Sequence, residues 1–156
     1  MSDTKKLAII ATKGTLDWAY PPFILASTAA ALGYETQIFF TFYGLNLLRK
    51  NMDLQVTSVG NPGMPMPMPM PVLLQALPGM QSMMTVMMKK KMQSKGVASL
   101  EDLRALCLEA EVKFVACQMT VDLFDMKHSE FIDEVEYGGA ATFFEFAGES
   151  DICLFI

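Results

Sequence analysis

The sequence predicts an α/β fold, a three-layer sandwich built on a mainly parallel sheet of about five strands. Three observations carry this. Residues 6–12 (KLAIIAT) form an uninterrupted apolar run of strand length with Gly14 close behind, the pattern of a strand buried on both faces of a parallel sheet. A helical stretch and a second strand follow at once, and this βαβ order implies parallel pairing through a right-handed crossover. The second half repeats the alternation and closes on another apolar strand.

Each element has its own justification. Residues 16–32 (LDWAYPPFILASTAAAL) are small and apolar enough for a helix; Pro21 and Pro22 fall near its first turn, where proline is tolerated, and Gly33 ends it. Residues 35–42 (ETQIFFTF) supply the second strand. Ser99 caps a helix whose Leu100, Leu103, Leu106, Cys107 and Ala110 share a face, with Glu101 and Asp102 in the first turn. Residues 113–117 (KFVAC) are a strand, 119–125 a short helix, 140–147 a longer helix opened by Gly138 and Gly139, and 151–156 (DICLFI) the last strand. At 156 residues the whole reads as one domain, 1–156, with an insertion at about 61–92.

The insertion stands apart by composition. No charged residue occurs from position 54 to 88, and ten of the fourteen methionines lie between Met64 and Met92. Residues 64–71 (MPMPMPMP) can form neither a regular helix nor a central strand and read as extended, polyproline-like chain. Residues 72–92 read as a largely apolar helix interrupted at Pro78 and Gly79, ahead of Lys89, Lys90 and Lys91. Three readings stay open for this arm: packing on a sheet edge or a partner, peripheral contact with an anionic membrane surface, and soft-metal binding by the thioethers. The stretch is short and polar for a membrane span.

Composition narrows the function. A net charge of −5 with 52% hydrophobic residues excludes disorder and gives no broad attraction for nucleic acid. Cys107, Cys117 and Cys153 are far apart and lack metal-ligand or disulfide-framework spacing, so no metal or other cofactor is expected and a reducing cytoplasm suits them.

Chemistry is expected at the carboxyl ends of the strands, where open parallel sheets bind ligands. That rule selects Thr12, Lys13 and Gly14 after the first strand, and Tyr43 and Gly44 after the second. Cys117 ends a strand just before a helix, where unpaired backbone N–H groups favour a thiolate or a persulfide anion. Lys13 and Thr120 are the candidate anion contacts, and Tyr43 and Gln118 the candidate pocket lining. The competing reading makes Cys117 an inert core thiol. Cys107 lies on an apolar helix face and reads as core, as does Cys153 inside the last strand, although its neighbours bring it within consideration as a second sulfur centre. His128, the sole histidine, reads as a surface residue, and Glu130, Asp133, Glu134 and Glu136 as a solvated face. Residues 12–15 (TKGT) lack the glycine pattern of a phosphate-binding loop.

Three further stretches carry a resemblance. Val115-Ala116-Cys117-Gln118-Met119-Thr120, Glu130-Phe131-Ile132-Asp133 and Val135-Glu136-Tyr137-Gly138-Gly139-Ala140-Ala141-Thr142 resemble the DsrE/DsrF-like sulfurtransferases. The larger branch, often labelled "peroxiredoxin family protein", is similar also in its opening strand with Thr12-Lys13-Gly14, in a Met/Pro-rich insertion like residues 61–71, and in its terminal strand. Nothing here resembles a thioredoxin-fold peroxidatic motif. The resemblance spans the chain and implies a Rossmann-like sheet, homo-oligomers or assemblies with related subunits, and sulfane sulfur accepted at Cys117. It also implies TusA-like or rhodanese-like sulfur carrier proteins as partners, and in some relatives a second functional cysteine, for which Cys153 and Cys107 are both candidates. Non-enzymatic scaffolding through the arm, and redox sensing through a Cys117–Cys153 disulfide, are the rival readings. Asp125 stands where the family pattern has glycine.

Overall fold

The computed structural model describes residues 4–57 and 71–156; nearly all of the Met-Pro alternation lies outside the described residues. The elements run β1 (Lys6–Ala11), α1 (Leu16–Ala31), β2 (Glu35–Phe40), a 3₁₀ segment (Phe42–Leu48), α2 (Val72–Gln75) and α3 (Met80–Ser94). They continue with α4 (Leu100–Glu109), β3 (Lys113–Cys117), α5 (Gln118–Leu123), a 3₁₀ turn (His128–Glu130), β4 (Val135–Gly138), α6 (Ala140–Ala147) and β5 (Ile152–Phe155). The sheet has the order β4-β3-β2-β1-β5 and every pair is parallel. This is the Rossmann-like α/β sandwich that the sequence predicts.

Strand alternation divides the core in two. Leu7, Ile9, Ile38, Phe40, Phe114 and Ala116 face α1 and α4, and there Phe23, Phe40 and Phe114 interlock with ring centroids 5.4–6.1 Å apart. Ala8, Phe39, Val115 and Cys117 face the other way, against Phe143 of α6. The first layer is deep. The second rests on one helix of eight residues, which spans only about 12 Å.

Local chemistry sets the element ends. Gly33 adopts φ 87° after α1; its N–H donates to the Ala30 carbonyl and that of Tyr34 to Ala29, which satisfies the last carbonyls of the helix. Helix α4 closes the same way with Glu111 at φ 62° and the Val112 N–H donating to Cys107. At its start the Asp102 N–H donates to the Ser99 hydroxyl, the expected cap.

Four expectations are corrected. The second strand stops at Phe40, because the chain turns through Phe42 at φ 49° into the 3₁₀ segment. Strand β4 lies among residues read as a solvated face. On α4 Leu100 and Cys107 are buried as expected, but so is Arg104, while Leu106 is exposed. The Arg104 guanidinium donates to the Leu47 and Arg49 carbonyls at 3.0 and 2.6 Å, and burial lowers its pKa against the opposing pull of Glu101 and Glu134. Cys153 is the fourth correction: it is exposed, not core.

The Met-rich segment is broken between Gln75 and Met80, a gap that includes the expected Pro78-Gly79 interruption but opens earlier, since α2 is only four residues long. Met84, Thr85, Met88 and Met92 of α3 turn inward, and Thr85 accepts from the Val56 N–H at 3.0 Å. Leu73, Leu77, Met83, Val86 and Met87 are exposed. No helix among the described residues is long and apolar enough to cross a membrane.

Candidate functional site

The loops at the carboxyl ends of β1 and β2 touch backbone to backbone. A Cβ on Gly44 would overlap the Ala11 carbonyl oxygen, and one on Gly14 would overlap that of Tyr43. Glycine at both positions is therefore a requirement of space. The contact brings Lys13, Gly14 and Tyr43 around one cavity of about 420 Å³, together with Thr15, Trp18, Asn46 and Thr57. The Lys13 ammonium sits 3.9 Å above the Trp18 ring. Asp17 fastens the far wall by accepting from the Thr57 N–H at 2.8 Å and its hydroxyl at 2.6 Å.

Cys117 lies elsewhere. It is the last residue of β3 and the residue before α5, only 4% exposed, with its side chain among Phe39, Val115 and Phe143. The backbone N–H groups that open α5 adjoin it, and no side chain caps that helix. Gly138 is its register partner, and a Cβ there would stand 2.6 Å from the Thr142 hydroxyl, so the first turn of α6 is pressed against the end of β4.

The other selected residues hold the edge together. The Thr120 hydroxyl is fully buried, 3.2 Å from that of Thr41, and accepts from the Phe42 N–H at 3.3 Å. Thr12 donates through its hydroxyl to the Ile156 carbonyl at 3.0 Å, and Gln118 donates to Asp122 at 2.8 Å. None of Thr12, Cys117, Gln118 or Thr120 lines the cavity beside Lys13.

Between cavity and cysteine lies an aromatic group that the sequence analysis missed. Tyr43 stacks on Phe124 at 5.7 Å and 20°, and Phe42 meets Phe124 edge-on at 6.2 Å. Asp125, at φ 51°, takes the left-handed conformation that glycine adopts most readily, in keeping with the glycine the resemblance leads one to expect there. The available signal was the run Phe39-Phe40-Thr41-Phe42-Tyr43, longer than a strand needs.

The remaining thiols behave differently. Cys107 is fully buried and donates to the Phe23 carbonyl at 3.3 Å; burial pushes its pKa up to about 12, with the Ser27 backbone N–H pulling the other way. Cys153 lies on the edge strand β5, in register with Ala8 and near exposed Phe155. Three inter-strand steps separate β3 from β5, about 14 Å, and a disulfide needs Cα atoms within about 7 Å. A Cys117–Cys153 disulfide within one chain is thus incompatible with this sheet. His128 is exposed, as expected, with its ring stacked 3.7 Å from that of Tyr137. Glu130 pairs with Arg49 and Asp133 with Lys50 across the surface.

Comparison with known proteins bears on the family and the fold. Residues 3–155 match the DsrE/DsrF/DrsH-like family. The chain is 77% identical to the sulfur carrier protein DsrE2 of Allochromatium vinosum, with 99% of each chain covered, and 33% identical to the YrkE protein of Bacillus subtilis, with 98% of each covered. The crystal structure of the ychN protein from E. coli superposes with a TM-score of 0.57 at 12% identity, covering 98% of this chain and all of that one, which shows a shared fold. The chain belongs to the DsrE/DsrF/DrsH-like family.

Proposed function

We propose that the chain is a sulfur carrier that holds sulfane sulfur as a persulfide on Cys117 and relays it between proteins in the cytoplasm. The observation that carries this reading is the place of Cys117 at a strand end in a chain 77% identical to a named sulfur carrier. In the transfer, the Cys117 thiolate attacks the outer sulfur of a donor persulfide. The donor's S–S bond breaks, the donor leaves as a thiolate that takes up a proton, and the sulfur stays on Cys117. The reverse attack by an acceptor thiol returns Cys117 to its starting state. Small TusA-like or rhodanese-like carriers fit the donor and acceptor roles.

Intact mass after incubation with an uncharged cysteine-peptide persulfide tests the reading. A reductant-reversible gain of whole sulfur atoms, mapped to the peptide containing Cys117, is expected. Folded protein that gains nothing there would sink the proposal.

The insertion supports a second property, peripheral contact with an anionic membrane. Leu73, Leu77, Met83, Val86 and Met87 present an apolar surface, and Lys89, Lys90 and Lys91 follow on the same arm. Flotation with vesicles of phosphatidylglycerol and phosphatidylcholine should carry the protein upward at low salt, and replacing the three lysines with glutamine should leave it at the bottom. Equal flotation of both proteins would dismiss the lysine contact.

Self-association is proposed through the thinly covered sheet face, where Phe155 is 73% exposed beside Cys153 and α6 exposes Phe144. Sedimentation velocity should show an oligomer that Phe155→Glu dissociates. A wild-type monomer at micromolar concentration refutes this.

A further inference from the structure

The surface around Cys117 has two properties that the carrier reading does not require. Phe42, Tyr43, Met119, Leu123 and Phe124 are all exposed and form a contiguous apolar ground along the carboxyl edge. Phe42 is held at φ 49°, a conformation that bulky residues avoid, and the Thr120 hydroxyl accepts its N–H from beneath. The second property is charge. Asp122, Asp125 and Glu136 are exposed and in no ion pair among the described residues, whereas Glu130, Asp133 and Glu149 pair with Arg49, Lys50 and Lys6. Asp122 and Asp125 border the apolar ground, and Glu136 follows Val135 on β4, on the sheet face that carries Cys117. Of the cations, Lys13 lies over Trp18 beyond the end of β1, two strands from β3, Arg49 and Lys50 pair with Glu130 and Asp133, and Lys127 follows the α5 turn.

We propose that the partner meeting Cys117 is a protein thiol set in a basic face with an apolar centre, and that free anionic sulfur compounds are poor donors. This rests on the persulfide reading above. The aromatic ground supplies desolvated contact area of the type that anchors protein interfaces. The acidic field attracts lysine and arginine around the partner's cysteine and repels thiosulfate and polysulfide anions. Burial of Cys117 beneath Phe143 leaves approach along the carboxyl edge, where this ground lies. The step balances: the partner's Cys–S–SH and the Cys117 thiol become a partner thiol and Cys117–S–SH, with no external oxidant or reductant.

The test compares donors of equal chemistry and opposite charge. A pentapeptide with a central cysteine persulfide flanked by lysines, its glutamate-flanked counterpart and thiosulfate are each mixed with the full chain, and loading at Cys117 is followed by mass. At low ionic strength the lysine peptide should load about tenfold faster than the glutamate peptide, and the ratio should fall toward one at about 0.5 M salt. The double variant Asp122→Asn, Asp125→Gly removes two charges while placing glycine at the left-handed position, and should cut the low-salt ratio about threefold. Equal rates for the two peptides, or a faster glutamate peptide, would overturn the basic-face inference while leaving the carrier reading intact. Failure of every donor to load Cys117 would overturn both.

Discussion

Cys117→Ala is expected to give a folded protein that neither holds sulfur at position 117 nor passes sulfur to an acceptor thiol. Removing one sulfur atom from the cluster of Phe39, Val115 and Phe143 costs about 1 kcal/mol, the scale of a buried methylene and a small cavity. That is a modest part of the roughly 5–15 kcal/mol that holds a domain together. The functional loss should be complete, because the two other thiols cannot substitute equally. Cys107 is held protonated, with its pKa pushed up to about 12, and donates to a carbonyl with no exposure to solvent. Its thiolate, the reactive form, is therefore negligible at neutral pH. Cys153 is exposed and is the competitor that the experiment must separate. Cys153→Ala should load Cys117 normally. If transferable sulfur survives in Cys117→Ala and disappears in Cys153→Ala, the carrier site moves to β5.

Periodicity and caps made much of the fold legible, because those signals are local. The run KLAIIAT, the Ser99 cap and the glycines opening α6 each depend on a few neighbouring residues, and each appears where expected. Strand β4 escaped because its four residues include Glu136 on a thinly covered face, so it lacks the apolar run that marks a central strand. Cys153 was misread for a related reason. DICLFI reads as a strand covered on both faces, but β5 is an edge and α6 is too short to shield it. Arg104 gave no signal, since its burial depends on carbonyls offered by Leu47 and Arg49, more than fifty residues away in sequence.

The site was legible in the same measure. The strand-end rule selected Lys13, Gly14 and Tyr43, and these do share a cavity. The rule says nothing about which face each side chain takes. The cavity opens beside the start of α1, whereas Cys117 turns toward α6, so residues at one edge divide into two places. The aromatic ground between them depends on the turn at Phe42, which a continuous strand over residues 35–42 would have abolished.

That turn makes Gly44→Ala the second large expected effect, a loss of about 3–5 kcal/mol and a melting temperature lower by roughly 10 °C or more. The cause is space alone, because Gly44 does not have a positive φ. Its added methyl would overlap the Ala11 carbonyl oxygen and stand 2.8 Å from the carbonyl carbon. Ala11 cannot withdraw, being buried at the end of β1, which is paired on both sides, with that same carbonyl accepting from the Thr41 N–H at 3.1 Å. Gly33→Ala is the control: at φ 87° with nothing within 4 Å, its penalty is conformational and about 1 kcal/mol. Urea denaturation of both variants separates the two causes, and Gly44→Ala with stability at or above that of Gly33→Ala would refute the close-packing account. The loss should reach function as well. Gly44 fixes the approach of the β2 loop to β1, which seats Tyr43 beside Lys13 and Phe42 against Phe124, so folded Gly44→Ala protein should discriminate less between lysine-flanked and glutamate-flanked persulfide donors.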